Sequence, residues 1–168
     1  LNNDGQGFSE ESSKYFDALS MGSMGADAAD MDNDLIPDLI VTEMLPETLS
    51  RQKSKQVYES YDKFSLAGSK GYHKQYPRNA VQRNLGNTFY EVSRQLGLSA
   101  TEWSWAALLF DMDNDGYIDV YISNGIYKDL RDRDYLTNEA NDERISRLLR
   151  SGTEALSDLI DLMPSKSV

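Results

Sequence analysis

The stretch DMDNDGYID, residues 111–119, places four aspartates in nine positions. Carboxylates this close repel one another: a pair about 4 Å apart costs about 1 kcal/mol in water and about 4 kcal/mol at the dielectric typical of a protein surface. A bound divalent cation would turn this repulsion into attraction. Oxygen ligands without histidine or cysteine favour Ca²⁺ over zinc or copper. The stretch, which we call the second loop, therefore predicts a calcium site.

The spacing within the second loop gives each ligand a role. Side chains at alternate positions would point inward, a backbone carbonyl would follow them, and the last aspartate would close the shell. Gly116 would allow the sharp turn after the third side chain. The predicted metal ligands are Asp111, Asp113, Asp115, the carbonyl of Tyr117, and Asp119.

The same pattern occurs 81 residues earlier, as DMDNDLIPD at 30–38, which we call the first loop. Phe8 and Phe89 each stand 22 residues before the first aspartate of their loop. Two copies of one unit explain this spacing, and we predict propeller-like modules over 1–81 and 82–168. The predicted ligands of the first loop are Asp30, Asp32, Asp34, the carbonyl of Ile36, and Asp38.

The first loop differs from the second at one important position. Leu35 stands where the second loop has Gly116. If this position requires a positive φ, leucine costs about 1–2 kcal/mol there. Pro37 would also stiffen the loop. We therefore expect the first site to be weaker than the second or to differ in shape.

Both loops are predicted to lie between strands. Gly/Asn turns in LNNDGQGF and AVQRNLGNTFYEV indicate upstream hairpins, and WSWAALLF and DVYIS read as strands around the second loop. Period-two alternation predicts that Trp103 and Trp105 face the core. An EF-hand would need a glutamate at its twelfth position and helices on both sides. Val41 and Ile122 stand at that position, which argues against an EF-hand.

A helical insertion is predicted after each loop and its following strand. The first covers about 46–68 and the second about 129–163. Apolar residues recur at helical spacing in the second insertion, and we expect them to pack against the sheets or to meet a partner helix. They are Ile145, Leu148, Leu149, Leu156, Leu159, Ile160 and Met163.

Composition excludes several classes of protein. The 168 residues include no cysteine, so disulfides, thiolate metal sites and cysteine nucleophiles are absent. No stretch approaches the ~20 apolar residues of a membrane span. The formal net charge of −11 argues against a nucleic-acid-binding protein, which needs a basic surface.

Charge is unevenly distributed along the chain. Between Arg51 and Arg83 there are eight Lys/Arg and two Asp/Glu, interleaved with tyrosines. The favoured interpretation is a helical insertion whose cations neutralise acidic neighbours; the alternative is a segment that binds an anionic glycan or an acidic protein face. His73, the only histidine, lies here without a nearby acid or nucleophile motif, and is a weak catalytic candidate.

The motif Asp-x-Asp-x-Asp-Gly-x-x-Asp between strands, with NNDGQGF upstream, resembles the FG-GAP/VCBS repeats of integrin-α-like β-propellers. GYHKQYPRNAVQRNLGNTF and WSWAALLFDMDNDGYIDVYISNG resemble the ASPIC/UnbV, cartilage-acidic-protein-like group of Bacteroidota surface proteins. The resemblance implies a mainly β fold with helical insertions, in which each module is a four-stranded blade with calcium between its first two strands. Because such rings have about seven blades, we expect two blades from a larger ring.

The resemblance also implies a function. We expect a non-enzymatic, calcium-stabilised binding or adhesion module, extracellular or at the outer-membrane surface, that presents its loops and insertions to a glycan or protein partner. It would not span the membrane, and a lipid anchor on the parent chain is compatible with it. The alternatives are a polysaccharide lyase or hydrolase on a propeller scaffold, which predicts charged residues converging in one cleft, and a scaffold subunit of an outer-membrane complex.

Overall fold

The computed structural model is mainly β and describes residues 2, 3, 5–55, 60–126, 128, 132–138, 146 and 150. Ten short strands lie in this part of the chain. They are β1 Asn2–Asn3, β2 Phe8–Ser9, β3 Leu19–Ser20, β4 Ala26–Ala29, β5 Asp38–Val41, β6 Gln75–Tyr76, β7 Ala80–Asn84, β8 Phe89–Glu91, β9 Ser104–Phe110 and β10 Asp119–Asn124.

The helices within the described ranges are short. They are α1 Ser12–Tyr15, α2 Leu49–Lys55, α3 Tyr61–Ser69 and α4 Arg133–Asn138. The helical insertion predicted at 46–68 is confirmed as α2 and α3. Of the insertion predicted at 129–163, α4 is helical, whereas the apolar residues at helical spacing from Ile145 to Met163 lie outside the described residues.

A four-stranded antiparallel sheet forms the centre of the first of two structural units, which combines 1–47 with 58–124. Its strand order is β4-β5-β7-β8, so each strand pairs with the next one in this order. The hairpin predicted for AVQRNLGNTFYEV is confirmed as β7 and β8. Gly86 in its turn has φ +86°, a conformation that glycine adopts without strain.

The β9–β10 hairpin packs against this sheet through a small apolar core. Ile40 of β5 and Val81 of β7 meet Ala107 and Leu109 of β9, and all four are buried. Partly buried residues of β10, among them Val120, extend the cluster. The alternation predicted for WSWAALLF therefore holds from Ala107 to Phe110.

The prediction that Trp105 faces the core is wrong, because the side chain is 50% exposed. The pairing of β9 with β10 shifts register between Ser123 and Asn124, so the alternation breaks at this end of the hairpin. Ser104 takes the inward position and hydrogen-bonds the Asn124 side chain at 2.8 Å. Trp103 precedes β9 and is only partly buried.

Two smaller strand pairs complete the first unit. β1 pairs antiparallel with β2, as the LNNDGQGF hairpin predicted. β3 pairs in parallel with β6, which the sequence did not indicate. This pair joins segments far apart in the chain, and it positions the stretch from Tyr72 to Tyr76 beside α3.

The second unit combines 48–57 with 125–168, and its described part contains α2 and α4. Lys55 and Asp132 form an ion pair of 2.9 Å, with the lysine side chain 8% exposed. Burial raises the pKa of Asp132, but its bonds to Lys55 and to the N–H of Tyr135 outweigh burial and hold the pKa below its usual value. The charged pair is therefore kept ionised within the unit.

The four-stranded sheet begins in one predicted module and ends in the other, since the boundary at 81–82 falls inside β7. The modules 1–81 and 82–168 remain a description of the sequence repeat. The sheets in the described residues do not close into a ring, so the propeller stays a prediction.

None of the described helices has the length and apolarity that crossing a bilayer requires.

Gly25, just before β4, tests the packing of the hairpin on the sheet. A Cβ at this position would lie 2.6 Å from the carbonyl oxygen of Trp105 and 2.9 Å from Cα of Ala106. Both are backbone atoms, so β9 would have to move. We expect Gly25→Ala to lower the free energy of unfolding by about 1–3 kcal/mol in urea titrations.

The control for this variant is Gly7→Ala, since a Cβ on Gly7 meets nothing within 4 Å. It should leave the unfolding midpoint near that of the chain without substitutions. Equal midpoints for both variants would contradict the close approach of β9 to Gly25.

Candidate metal centre

Each aspartate loop connects two neighbouring antiparallel strands. The first loop joins β4 to β5, where Ala29 pairs with Asp38, and the second joins β9 to β10, where Phe110 pairs with Asp119. Strand pairing brings the two ends of each loop together, so the chain between them curls into a closed turn. The prediction that strands flank both loops is confirmed.

In the first loop, the Asp30 carboxylate holds the backbone of the turn. Its Oδ1 accepts a hydrogen bond from the N–H of Asp34 at 3.0 Å, and its Oδ2 accepts one from Leu35 at 2.8 Å. The Asp34 Oδ1 accepts from the N–H of Ile36 at 2.8 Å. Aspartate suits these turns because its short side chain reaches N–H groups ahead of it in the chain.

The second loop repeats this bonding pattern. The two carboxylate oxygens of Asp111 accept from the N–H groups of Asp115 at 3.0 Å and Gly116 at 2.9 Å. The Asp115 Oδ1 accepts from Tyr117 at 2.8 Å. The sequence repeat therefore extends to individual hydrogen bonds, and both loops share one conformation at these positions.

Three predicted ligands converge in each loop. One carboxylate oxygen from each of Asp30, Asp32 and Asp34 lies within 4.8 Å of the other two, and the second loop places its own three aspartates the same way: Asp111, Asp113 and Asp115. Calcium–oxygen bonds of 2.3–2.6 Å let two oxygens on one ion be at most about 5 Å apart. The spacing and the all-oxygen donor set therefore fit a hard divalent cation.

The other predicted ligands have different surroundings. Asp38 and Asp119 are not part of the triplets; the Oδ2 atom of each accepts from the N–H of Met31 or Met112, at 3.1 and 3.0 Å. Asp38 is 2% exposed, and its Oδ1 accepts from the N–H of Asn84 at 2.7 Å. These two aspartates fasten the loop ends to the strands in this structure.

The backbone carbonyls of Ile36 and Tyr117 complete the predicted set. Both residues follow the third aspartate by two positions, and both donate their N–H to it. These hydrogen bonds therefore fix the backbone at the two residues whose carbonyl oxygens are predicted to bind the metal.

The premise about Leu35 is confirmed by its backbone conformation. Its φ is +69°, close to the +87° of Gly116 at the equivalent position. Leucine is strained in this left-handed region, whereas glycine is not. The side chain is 92% exposed, so no packing of its own offsets the strain.

A cation from β7 contacts the first loop. Arg83 forms an ion pair with Asp32, one of the three converging aspartates. Among the described residues, Asp113 at the equivalent position has no ion pair. Arg83 offsets part of the repulsion in the first loop and would compete with a metal for Asp32. Nothing in the sequence pointed to Arg83, because only the pairing of β7 with β5 brings it near.

The two loops are neighbours in the first unit. The side-chain nitrogen of Asn33 donates to the carbonyl oxygen of Gly116 at 3.5 Å. Asn33 and Asn114 themselves have φ near +60°, which asparagine tolerates better than most residues. Both asparagines therefore favour the left-handed turn that brings the aspartates together.

Comparison of the chain with models of known protein families, with curated proteins and with solved structures finds no match. The resemblance to FG-GAP/VCBS repeats therefore rests on the motifs of the chain itself. The argument for a metal rests on the geometry of the two loops.

Exchanging leucine and glycine between the loops tests the strain at Leu35. Leu35→Gly removes about 1–2 kcal/mol of strain, of which about 0.5–1 kcal/mol is offset by the greater freedom of glycine in the unfolded chain. We expect the free energy of unfolding in EDTA to rise by up to about 1 kcal/mol. Gly116→Leu should lower it by a similar amount.

Apart from its chain neighbours, no described atom lies within 4 Å of a Cβ built on Gly116, and Leu35 at the equivalent position is 92% exposed. This second variant therefore reports backbone conformation and not a clash. A loss of stability in Leu35→Gly, measured by urea titration in the same buffer, would contradict the account of the first loop.

Proposed function

We propose that this chain is a non-enzymatic, calcium-stabilised binding module built from blades of an FG-GAP/VCBS-like propeller. The observation that carries the proposal is the pair of aspartate triplets, each with its oxygens within 4.8 Å. They share one set of hydrogen bonds and one spacing, 81 residues apart. One metal ion bound in each triplet would neutralise its carboxylates. It would stabilise the folded chain, since the free energy of binding adds to the free energy of folding.

Calcium is the proposed ion because of what the loops offer. Mg²⁺ needs near-ideal octahedral geometry at 2.0–2.1 Å and usually keeps several waters, whereas Ca²⁺ accepts six to eight oxygens in flexible arrangements. Short acidic loops that mix carboxylates with a backbone carbonyl suit the larger ion. We further propose that the protein lies outside the cell or on the outer-membrane surface, where calcium modules have dissociation constants of about 10⁻⁴–10⁻³ M.

The propeller proposal is supported by the way strands pack. The order β4-β5-β7-β8 is an antiparallel four-stranded sheet with the first loop between its first two strands. The β9–β10 hairpin packs against it and would begin the next blade. Leu108, Phe110 and Tyr121 remain 42–52% exposed on that hairpin, and a further blade from the parent chain would cover them.

Removing one ligand from each loop tests the metal assignment. In calorimetric calcium titrations, the chain without substitutions should bind two ions, one in each loop. Asp115→Ala should weaken the second site about tenfold or more, because ligand charge sets affinity. Asp34→Ala should change the isotherm less, since strain at Leu35 and the Arg83 ion pair already weaken the first site.

The matched control is Asp17→Ala, which removes an aspartate outside the loops whose side chain is 74% exposed. It should leave the calcium isotherm unchanged. If the calcium isotherm of Asp115→Ala overlays that of the chain without substitutions, the assignment of the second loop is refuted.

A further inference from the structure

Two neighbouring clefts open on the first unit, and Lys74 lines both. The aromatic cleft has a volume of about 490 Å³, with walls that include Met21, Tyr61, Phe64, Tyr72, His73 and Lys74. The basic cleft has a volume of about 460 Å³, with walls that include Asp17, Lys74, Tyr76, Arg78, Tyr90 and Arg94. A ligand longer than one cleft could occupy both, and neither cleft contains an aspartate-loop residue.

Side chains stacked between the clefts connect them. The ring of Phe64 stacks on that of Tyr76 with centroids 6.3 Å apart. The Arg78 guanidinium lies 4.9 Å from the centre of the Tyr76 ring. Arg78 also bonds Glu91 at 2.6 Å. Burial raises the pKa of Glu91, but hydrogen bonds from Ser93 and Arg78 outweigh burial and hold the pKa below its usual value. The Glu91 carboxylate therefore stays charged and keeps Arg78 in place on the stack.

We call the aromatic cleft and the basic cleft together the groove. Two cations that line it remain accessible to a ligand. Lys74 is 60% exposed, and its contact with the exposed Asp17 is 3.9 Å long, which is a weak interaction in water. Arg94 is exposed and has no ion pair within the described part of the chain. The walls of the two clefts carry three Lys/Arg and two Asp/Glu, whereas the whole chain has a net charge of −11. This local surplus favours an anionic ligand.

Aromatic rings also face the groove without cover. Tyr61 and Tyr72 are 80% and 73% exposed, although large apolar surfaces are usually buried. The groove thus offers flat apolar rings and cations along one surface.

We propose that this groove binds an acidic glycan, a specific form of the binding function proposed above and resting on it. A pyranose ring has one face of C–H bonds, which packs on Tyr61 and Tyr72, and hydroxyl groups at its edge, which hydrogen-bond exposed polar side chains of the walls such as Lys74. A uronic-acid carboxylate pairs with Lys74 or Arg94. Tyrosine suits such contacts because it joins an apolar ring to a polar end.

The charge of the chain argues for a glycan over a nucleic acid. Duplex DNA carries one phosphate per about 1.7 Å of its axis, and the acidic surface outside the groove repels so dense an anion. A glycan with one carboxylate on every second sugar carries far less charge for its length. It therefore matches a groove with few free cations and several rings.

The test measures binding of a hyaluronan oligosaccharide to the full chain in calcium buffer, by calorimetry or by NMR shift perturbation. A neutral maltooligosaccharide of equal length and a polyglutamate peptide serve as comparison probes. We expect hyaluronan to bind more tightly than both, with an affinity that falls as salt is raised. Equal binding of polyglutamate would overturn the proposal, because charge alone would then explain it, and so would no binding of hyaluronan.

Single substitutions locate the site. Tyr72→Ala should weaken hyaluronan binding about tenfold, the effect of losing one stacked ring. Lys74→Gln should weaken it and reduce its salt dependence. The matched control is Tyr121→Ala, which removes a tyrosine on β10 that is 51% exposed and lies outside the groove. Circular dichroism checks that each variant folds, and equal losses in Tyr72→Ala and Tyr121→Ala would overturn the assignment.

The same samples separate this proposal from the function it extends. A calcium-dependent rise in unfolding temperature without hyaluronan binding would overturn the glycan groove and leave the calcium module standing. Hyaluronan binding that Tyr72→Ala weakens, without any calcium effect, would uphold the groove and overturn the calcium-stabilised module.

Discussion

Mutual repulsion among aspartates is the constraint on which this structure depends. Each loop holds three carboxylate oxygens within 4.8 Å of one another, and each pair costs about 1 kcal/mol in water and more where solvent is displaced. Hydrogen bonds from the backbone to Asp30 and Asp111 offset part of this cost and hold the turns closed. They also fix the oxygens in the arrangement that a cation requires, so the turn and the metal site have the same origin.

The loops matter to the fold because they connect the strands that form its core. The first loop sets the spacing of β4 and β5, and the second sets that of β9 and β10, whose Leu109 packs with Ile40. Loosening either turn would disturb the packing of the β9–β10 hairpin on the four-stranded sheet. The contact between Asn33 and Gly116 places the two loops side by side. Neutralising them would therefore stabilise the sheet and the hairpin together.

Much of the site was predictable because the repeat and the turn chemistry are local. The flanking strands, the three converging aspartates and the positive φ at Leu35 all follow from short stretches of sequence. Trp105 was misplaced because a register shift near Ser104 breaks the alternation on which the prediction relied. Arg83 was missed because pairing between distant strands brings it to Asp32. The parallel β3–β6 pair escaped for the same reason. The basic segment with its tyrosines was recognised from the sequence, but the groove that this pair helps to form beside α3 was not.

Thermal unfolding of the full chain in EDTA, in millimolar Ca²⁺ and in equal Mg²⁺ tests the central claim most directly. At about a hundred times its dissociation constant, calcium contributes about 2.7 kcal/mol for each filled loop, which raises the midpoint of a chain of this size by about 5–10 °C per loop. Mg²⁺ should have a much smaller effect. Equal midpoints in EDTA and calcium, or equal shifts with both ions, would contradict the calcium-stabilised module.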